Sequence, residues 1–368
     1  MTPADALADV RAGGRLAVDD AERVYVEAST DDLRATAIVV RDRHNPPGRA
    51  TYLVDRNVNY TNVCITDCKF CEFYRPPKHG EAYVLSWETL SEKLRELVAI
   101  GGTRVLLQGG HHPDLRIGWY EDLLRRLRVA FPSIELNAFS PSEIENLANL
   151  EGMTTRDVLA RLREAGMAGL PGGGGEILDD EIRTLVSPKK TKTAAWLRIM
   201  GEAHELGLVT TATMVFGFGE QPAHRVRSLA AVRDRQDLSL ARYGRGFVGF
   251  AAWPLQYESR FGHVFAGLKG WKLGGTEEEY LRHTAFSRLF LDNVPHFQAS
   301  WPTMGLAVAR VALGYGCDDM GGTMMEENVV SQAGGRYRCA TEDDLAECIR
   351  GAGLTPRKRT SDYALAAG

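Results

Sequence analysis

Hydrophobic positions along the 368-residue chain fall into two alternating patterns. Short apolar and β-branched runs give way to longer stretches whose apolar residues recur every three or four positions, the marks of strand and amphipathic helix. Residues 58–65 (VNYTNVCI) read as a first strand. A helix over 87–100 follows, with Leu90, Leu94 and Leu97 on one face and Gly101-Gly102 as its stop. The rhythm continues with strands over 104–108, 134–139, 209–216, 247–253 and 297–301. Weaker strands are read at 168–171, ahead of a four-glycine run, and at 319–324. Helices are expected over 119–131, 194–206, 224–237 and 304–315, and behind the capping pairs Thr154/Asp157 and Thr276/Glu279.

Eight strand–helix alternations between about residues 55 and 330 predict an α/β fold, a parallel (β/α)8 TIM-type barrel. An open doubly wound sheet is the alternative, but no G-x-G-x-x-G follows the first strand. Three parts are expected: an N-terminal helical extension over 1–50, the barrel over 51–335, and a short C-terminal extension over 336–368. We expect the N-terminal helices to cover the open bottom of the barrel. Thr341 and Asp344 open a helix on its outside, and the tail from Ser361 reads as mobile.

Charge narrows the function. The 44 Lys and Arg against 48 Asp and Glu leave a net charge of −4, without the basic excess of nucleic-acid binders. No stretch of about 18 apolar residues predicts a membrane span. The polar, acidic first twenty residues do not resemble a secretion signal, so a cytoplasmic setting is expected.

In such a setting six cysteines make no disulfide framework. Cys64, Cys68 and Cys71 spell C-x3-C-x2-C just after the first strand. Three thiolates in one loop suit three corners of a [4Fe–4S] cube, leaving one iron open to a small chelating ligand; four cysteines are the usual number. Structural zinc is the competing reading, with His79 as a conceivable further ligand, but no second pair lies near. Cys317, Cys339 and Cys348 read as ordinary reduced cysteines.

A barrel of this class carries its chemistry at the carboxyl ends of its strands. Those positions hold Gln108-Gly109-Gly110 with His111-His112, then Asn137 and Ser140, and then Glu176 behind the four glycines. Further round are Thr211 and Thr213, Trp253 and Gln256, Gln298 and Ser300, and finally Glu326, Glu327 and Asn328. Alternating polar residues inside an apolar barrel fit a substrate cavity.

The cysteine spacing, with aromatic Phe70 before Cys71, resembles the radical S-adenosylmethionine (SAM) superfamily. The strings LQGGHHPDL, NAFSPSEI, LPGGGGEIL, SPKK, TTATMVFG and QASWPTMGL, in that order, resemble the cyclic dehypoxanthinyl futalosine synthases of the futalosine route to menaquinone. The resemblance implies Cys64, Cys68 and Cys71 as cluster ligands and SAM on the open iron. It implies Phe70, Gln108, Gly109, Gly110, Ser140 and Glu176 as cofactor-binding. Asn137, Thr211, Thr213, Trp253, Gln256, Gln298, Ser300 and Asn328 would contact a nucleoside-benzoate substrate, with His112 or Glu326 as the base. A ferredoxin or flavodoxin would supply low-potential electrons. Aminofutalosine synthase, a deazaflavin (FO) synthase component and, remotely, a zinc-binding non-enzyme are the alternatives.

Overall fold

The computed structural model describes residues 1–257, 273–337 and 339–366. Its strands are β1 (Arg49–Leu53), β2 (Asp55–Asn59), β3 (Arg104–Gln108), β4 (Glu135–Ala138), β5 (Gly169–Leu170), β6 (Val209–Phe216), β7 (Phe247–Pro254), β8 (His296–Gln298), β9 (Asp319–Gly322) and β10 (Thr355–Lys358). They form one sheet in the order β10-β1-β9-β8-β7-β6-β5-β4-β3-β2. Neighbours in it run parallel.

The sheet closes on itself because β1 and β2 are two halves of one extended segment hinged at Val54. β1 pairs with β9 and β2 with β3. The amides of Thr323 and Met325 donate to the carbonyls of Leu53 and Asp55 at 3.2 and 3.3 Å, continuing the β9 side onto β2. Counting β1 and β2 as one, eight strands complete the TIM-type barrel, and β10 lies beside β1 outside the ring. The first strand thus begins earlier than the sequence pattern suggests, and residues 60–65 are loop. All five residues of β2, DRNVN, are buried. Asn57 and Asn59 point into the polar barrel interior and Arg56 turns out to Glu96 and the Lys93 carbonyl on α4, so apolar alternation could not reveal the strand.

Helices wrap the outside: α1 (Pro3–Ala12), α2 (Val18–Glu27), α3 (Thr30–His44), α4 (Trp87–Ala99), α5 (Ile117–Ala130), α6 (Pro141–Glu151), α7 (Thr155–Ala165), α8 (Asp180–Val186), α9 (Thr193–Glu205), α10 (Pro222–Tyr243), α11 (Glu277–Phe290), α12 (Trp301–Ala312), α13 (Val329–Gln332) and α14 (Glu342–Gly351). α4 shows the sequence logic. Ser86 caps it by accepting from the Thr89 amide, and Leu90, Leu94 and Leu97 are buried.

Two expectations about the extensions are corrected. The N-terminal helices do not fill the barrel bottom; they pack on its flank, α3 against α11 and α2 against α10, and reach only its rim, where Asn45 Nδ2 donates to the Pro295 carbonyl at 2.8 Å. Arg225 Nη1 donates to the Tyr25 hydroxyl at 2.8 Å, and Arg282 Nη2 to the Tyr25 carbonyl at 2.6 Å. The bottom is instead closed by the C-terminal tail, read as mobile. Arg359, 1% exposed, donates to Asp319 Oδ2 at 2.5 Å and Oδ1 at 2.8 Å. The Tyr363 ring stacks on His296 with centroids 3.9 Å apart. Gly249 is required under it, since a Cβ there would meet the Tyr363 hydroxyl at 2.7 Å. Asn137 Nδ2 donates to Ser361 Oγ at 2.9 Å. The helix from Thr341 forms as expected, with its capping box complete.

Candidate active site

The top of the barrel opens into a cavity of about 430 Å³, within the usual size range for small-molecule sites. The cysteine loop forms part of its wall, with Cys64, Cys68, Phe70 and Cys71 all lining it. The turn at Gly109-Gly110 backs directly onto that loop. A Cβ on Gly110 would lie 2.2 Å from the Val63 carbonyl oxygen and 2.7 Å from Cys64 Cβ. The His111 amide donates to Cys64 Sγ at 3.3 Å. None of the three cysteines forms a disulfide. Burial pushes Cys68 up to about 11 and also raises Cys71. Thiols held in one loop of the cavity wall are deprotonated when they ligate a metal centre. The donor set therefore fits an iron–sulfur cluster.

The four-glycine loop is a fixed cradle. Thr213 Oγ1 donates to the Gly172 carbonyl at 2.6 Å, and the Gly172 amide donates to Thr211 Oγ1 at 3.2 Å. Trp196 Nε1 holds the Gly173 carbonyl at 3.2 Å. Buried Arg183 holds the carbonyls of Gly174 and Gly175. A Cβ at Gly172 would lie 2.6 Å from the Thr211 carbonyl oxygen, which explains glycine there. The loop delivers Glu176, 8% exposed, in the left-handed region at φ 39°. A non-glycine residue held there marks a site the surroundings over-determine.

Glu176 Oε1 accepts from Lys190 Nζ at 2.7 Å, while Oε2 is buried without a hydrogen-bond partner. Burial lowers the Lys190 pKa, but the charge of Glu176 and its hydrogen bond outweigh it and keep the ammonium protonated. Lys190 Nζ also lies 6.0 Å over the Phe70 ring. Cationic, anionic and aromatic groups thus meet beside the cysteines, as a zwitterionic nucleoside such as SAM requires.

Most sequence-expected residues share this cavity. Gln108, Gly109, Gly110, Ser140, Glu176, Thr211, Thr213, Trp253, Gln256, Gln298 and Ser300 line it with the cysteine loop. Four do not. Asn137 is buried on the barrel floor against the tail. His112 turns away, its Nδ1 accepting from the Asp114 amide at 3.1 Å, while the lining histidine is His111. Burial, then Lys190, lower His111 to about 3. Glu326 faces Lys93 and Arg56, at 2.5 and 3.1 Å. Burial opposes its ionisation, but hydrogen bonds from Lys93, Asn328 and Arg56 prevail and lower its pKa. Asn328 lies beside it, donating to Glu326 Oε1 at 2.8 Å.

The adjoining Glu327, 7% exposed, is the carboxylate that lines the cavity. It accepts from Asn57 Nδ2 at 3.0 Å and from the Val329 and Val330 amides at 2.7 Å each. Burial raises its pKa above the ordinary carboxylate value. Glu143 and Lys190 were also missed as individual site residues. Both sat inside strings already noticed, NAFSPSEI and SPKK, but helix and loop charges are ordinarily solvated, and nothing local marks them as buried.

A model of the radical SAM superfamily matches residues 58–232, and one of the CofH/MqnC C-terminal region matches residues 244–367. A cyclic dehypoxanthine futalosine synthase of Halalkalibacterium halodurans is 43% identical over 95% of this chain and 91% of its own length. The enzyme of that name from Streptomyces coelicolor is 39% identical over 96% and 86%. The chain belongs to the radical SAM superfamily. Other relatives include a 5-amino-6-(D-ribitylamino)uracil–L-tyrosine 4-hydroxyphenyl transferase of Microcystis aeruginosa, 34% identical over 98% of this chain and 97% of its own. Among solved structures, the hydrogenase maturase HydG of Carboxydothermus hydrogenoformans superposes with a TM-score of 0.72 at 18% identity. It covers 98% of this chain and 80% of its own, and shares the fold. In this radical SAM chain β7 to β9 fall within the region matched by the second family model, so the barrel is completed by residues from both. No described helix is long and apolar enough to cross a membrane.

Proposed function

We propose that this radical SAM enzyme converts dehypoxanthine futalosine to cyclic dehypoxanthinyl futalosine. The observation that carries the reading is that cyclases of that name are 43% and 39% identical over nearly the whole chain, against 34% and 37% for two tyrosine transferases, the latter over 85% of the chain. Cys64, Cys68 and Cys71 would hold a [4Fe–4S] cluster, whose electron would cleave SAM so that its deoxyadenosyl part takes a hydrogen atom from ribose C4′; that carbon would close onto the benzoate ring, and the electron released as the ring loses its proton would return to the cluster. A ferredoxin or flavodoxin is the proposed source of the first electron.

The protein's share of this chemistry is positioning, water exclusion and proton removal. The Gly172–Glu176 cradle and Lys190 hold the nucleoside end beside Phe70 and the cysteines. Trp253, Gln298 and Ser300 line the same cavity, where the substrate would lie. The closed barrel floor keeps water from below. Loss of the ring proton needs a base facing the substrate, and Glu327 serves at Oε2, beside Asn57.

The test is anaerobic. Protein reconstituted with iron and sulfide, then reduced, is given SAM and dehypoxanthine futalosine. Mass spectrometry follows 5′-deoxyadenosine and a product lighter than substrate by two hydrogens. Both are expected, and both vanish in Cys68→Ala. Deoxyadenosine formed only with the tyrosine-transfer or aminofutalosine substrates overturns the cyclase assignment.

A further inference from the structure

Among the described residues two cations line the cavity, Lys190 and Arg104. They stand at opposite ends of it. Lys190 is at the cysteine end, 2.7 Å from Glu176 and 6.0 Å over the Phe70 ring. Arg104 opens β3, whereas Gln108 closes it, beside the turn that backs onto the cysteine loop. Arg104, Leu106 and Gln108 alternate along the strand, and all three line the cavity. Four steps of strand place the Arg104 backbone roughly 13 Å below that turn.

The Arg104 guanidinium is only partly used by the fold. Nε and Nη2 both donate to a single oxygen, Asp55 Oδ2, at 3.2 and 2.5 Å. Asp55, fully buried, accepts at its other oxygen from the Met324 amide at 2.9 Å. Asp55 therefore holds the guanidinium by one side. Nη1 makes no hydrogen bond among the described residues, and the side chain is 15% exposed on the cavity wall. The unused edge, Nη1 with the second hydrogen of Nη2, is the planar fork that receives a carboxylate through two parallel hydrogen bonds. Lys190 has no such fork, and its ammonium is already on Glu176. An acid entering this cavity thus finds its open pair of donors at the deep end.

The substrate assigned above carries one acidic group, the carboxylate of its benzoate ring. We propose that Arg104, pinned by Asp55, receives this carboxylate and so decides which way round the substrate lies. The proposal rests on the cyclase reading. It puts the acid at the foot of the cavity and the sugar toward the cysteine loop, the order that hydrogen removal from the ribose requires. Asp55 acts through Arg104, holding the fork in place.

The test compares dehypoxanthine futalosine with its benzamide analogue, in which a neutral carboxamide replaces the carboxylate. Equilibrium dialysis against cluster-loaded, unreduced protein gives the ratio of the two affinities. Wild-type protein is expected to prefer the acid by about tenfold or more, the scale of a charged hydrogen bond. Removing Arg104 alone would leave Asp55 buried and unpaired. Both charges are therefore removed together, in the double variant Asp55→Asn, Arg104→Gln. It is expected to lose the acid preference and to keep its iron. A preference that survives in the double variant overturns the proposal, and so does wild-type protein that binds the two compounds equally. Where the double variant does not retain iron, Arg104→Lys decides, because its ammonium stays on Asp55 without the fork; an unchanged preference in R104K overturns the proposal. Reduction in the presence of SAM separates this assignment from the cyclase reading. Cyclised product without an acid preference overturns the role of Arg104 alone. Wild-type protein that cyclises no dehypoxanthine futalosine overturns the cyclase reading, and this proposal with it.

Discussion

The two ends of this barrel are built from the same materials and finished differently. At the bottom, polar and charged groups on the strands meet one another and the C-terminal tail. Asp319 accepts from Arg359, from Thr51 Oγ1 at 2.6 Å and from the Gly321 amide at 2.7 Å. At the top the accounting is left open. Glu176 Oε2, Asn57 Oδ1 and Ser142 Oγ are buried without hydrogen-bond partners, and Glu143 lacks a counter-charge among the described residues. Buried polar groups are normally satisfied by the chain itself. Unpartnered buried atoms occur at the bottom as well, at Thr103 Oγ1 and Asn293 Oδ1; what separates the ends is that the bottom carboxylate Asp319 meets a guanidinium while Glu143 at the top meets only neutral donors.

The comparison fails most visibly if the top cannot be emptied of chemistry without also disturbing the fold. Cys68→Ala is expected to abolish product and the brown cluster chromophore while leaving the circular-dichroism melt of cluster-free protein unchanged. The bottom should respond in the opposite sense. Arg359→Ala leaves Asp319 buried and unpaired, which costs about 3–5 kcal/mol. Denaturant titration of cluster-free protein would show it. Protein that still folds should keep its relative affinities for SAM and S-adenosylhomocysteine.

Glu327→Gln sharpens the top further. Deoxyadenosine formation should persist while cyclised product falls by roughly a hundredfold, the scale of a lost general base. Equal loss of both would remove Glu327 from the proton step. Glu326→Gln, one residue away but facing Arg56 and Lys93, should leave the product-to-deoxyadenosine ratio unchanged.

What could be read in the sequence follows the same division. The cysteine loop, the glycine cradle and the strand ends were legible because their residues lie close together in the chain and their types are unusual there. The bottom was not. Arg359 lies 40 residues from Asp319, and Ser361 lies 224 residues from Asn137. A tail of ordinary polar composition gives no local sign that it will be buried. Neighbouring pairs were ambiguous for another reason. His111 and His112, or Glu326 and Glu327, are equivalent as letters, and only the path of the backbone after the strand decides which one enters the cavity.

A smaller effect concerns pH. The folded pKa of Glu143, about 7, lies above its ordinary value of 4.5. Between those values the folded state holds a proton that the unfolded state has released, so stability falls as pH rises through the window. The neighbours do not confuse this. Tyr60 and Tyr120 have raised pKa values and stay neutral, and Lys190 stays charged. Wild-type stability, measured in cluster-free protein relative to E143Q, should therefore decline from about pH 4.5 to 7 and level off above it. A flat difference would show that Glu143 ionises without penalty and is already satisfied.

The smallest expected effect is the most pointed, because it concerns a residue the sequence placed in the site. Asn137 lies at the third strand, one of the positions from which barrel enzymes draw their chemistry, yet its amide is spent on Ser361. Gly169 packs so tightly on it that a Cβ there would lie 1.9 Å from Asn137 Oδ1. Asn137→Ala removes one buried hydrogen bond and should cost about 1 kcal/mol, with kcat and KM unchanged. A change in KM without loss of stability would mean that the polar floor communicates with the cavity above it. The division between a charge-paired bottom and an open top would then have to be redrawn above Asn137, at the layer where Arg104 both pairs with Asp55 and lines the cavity.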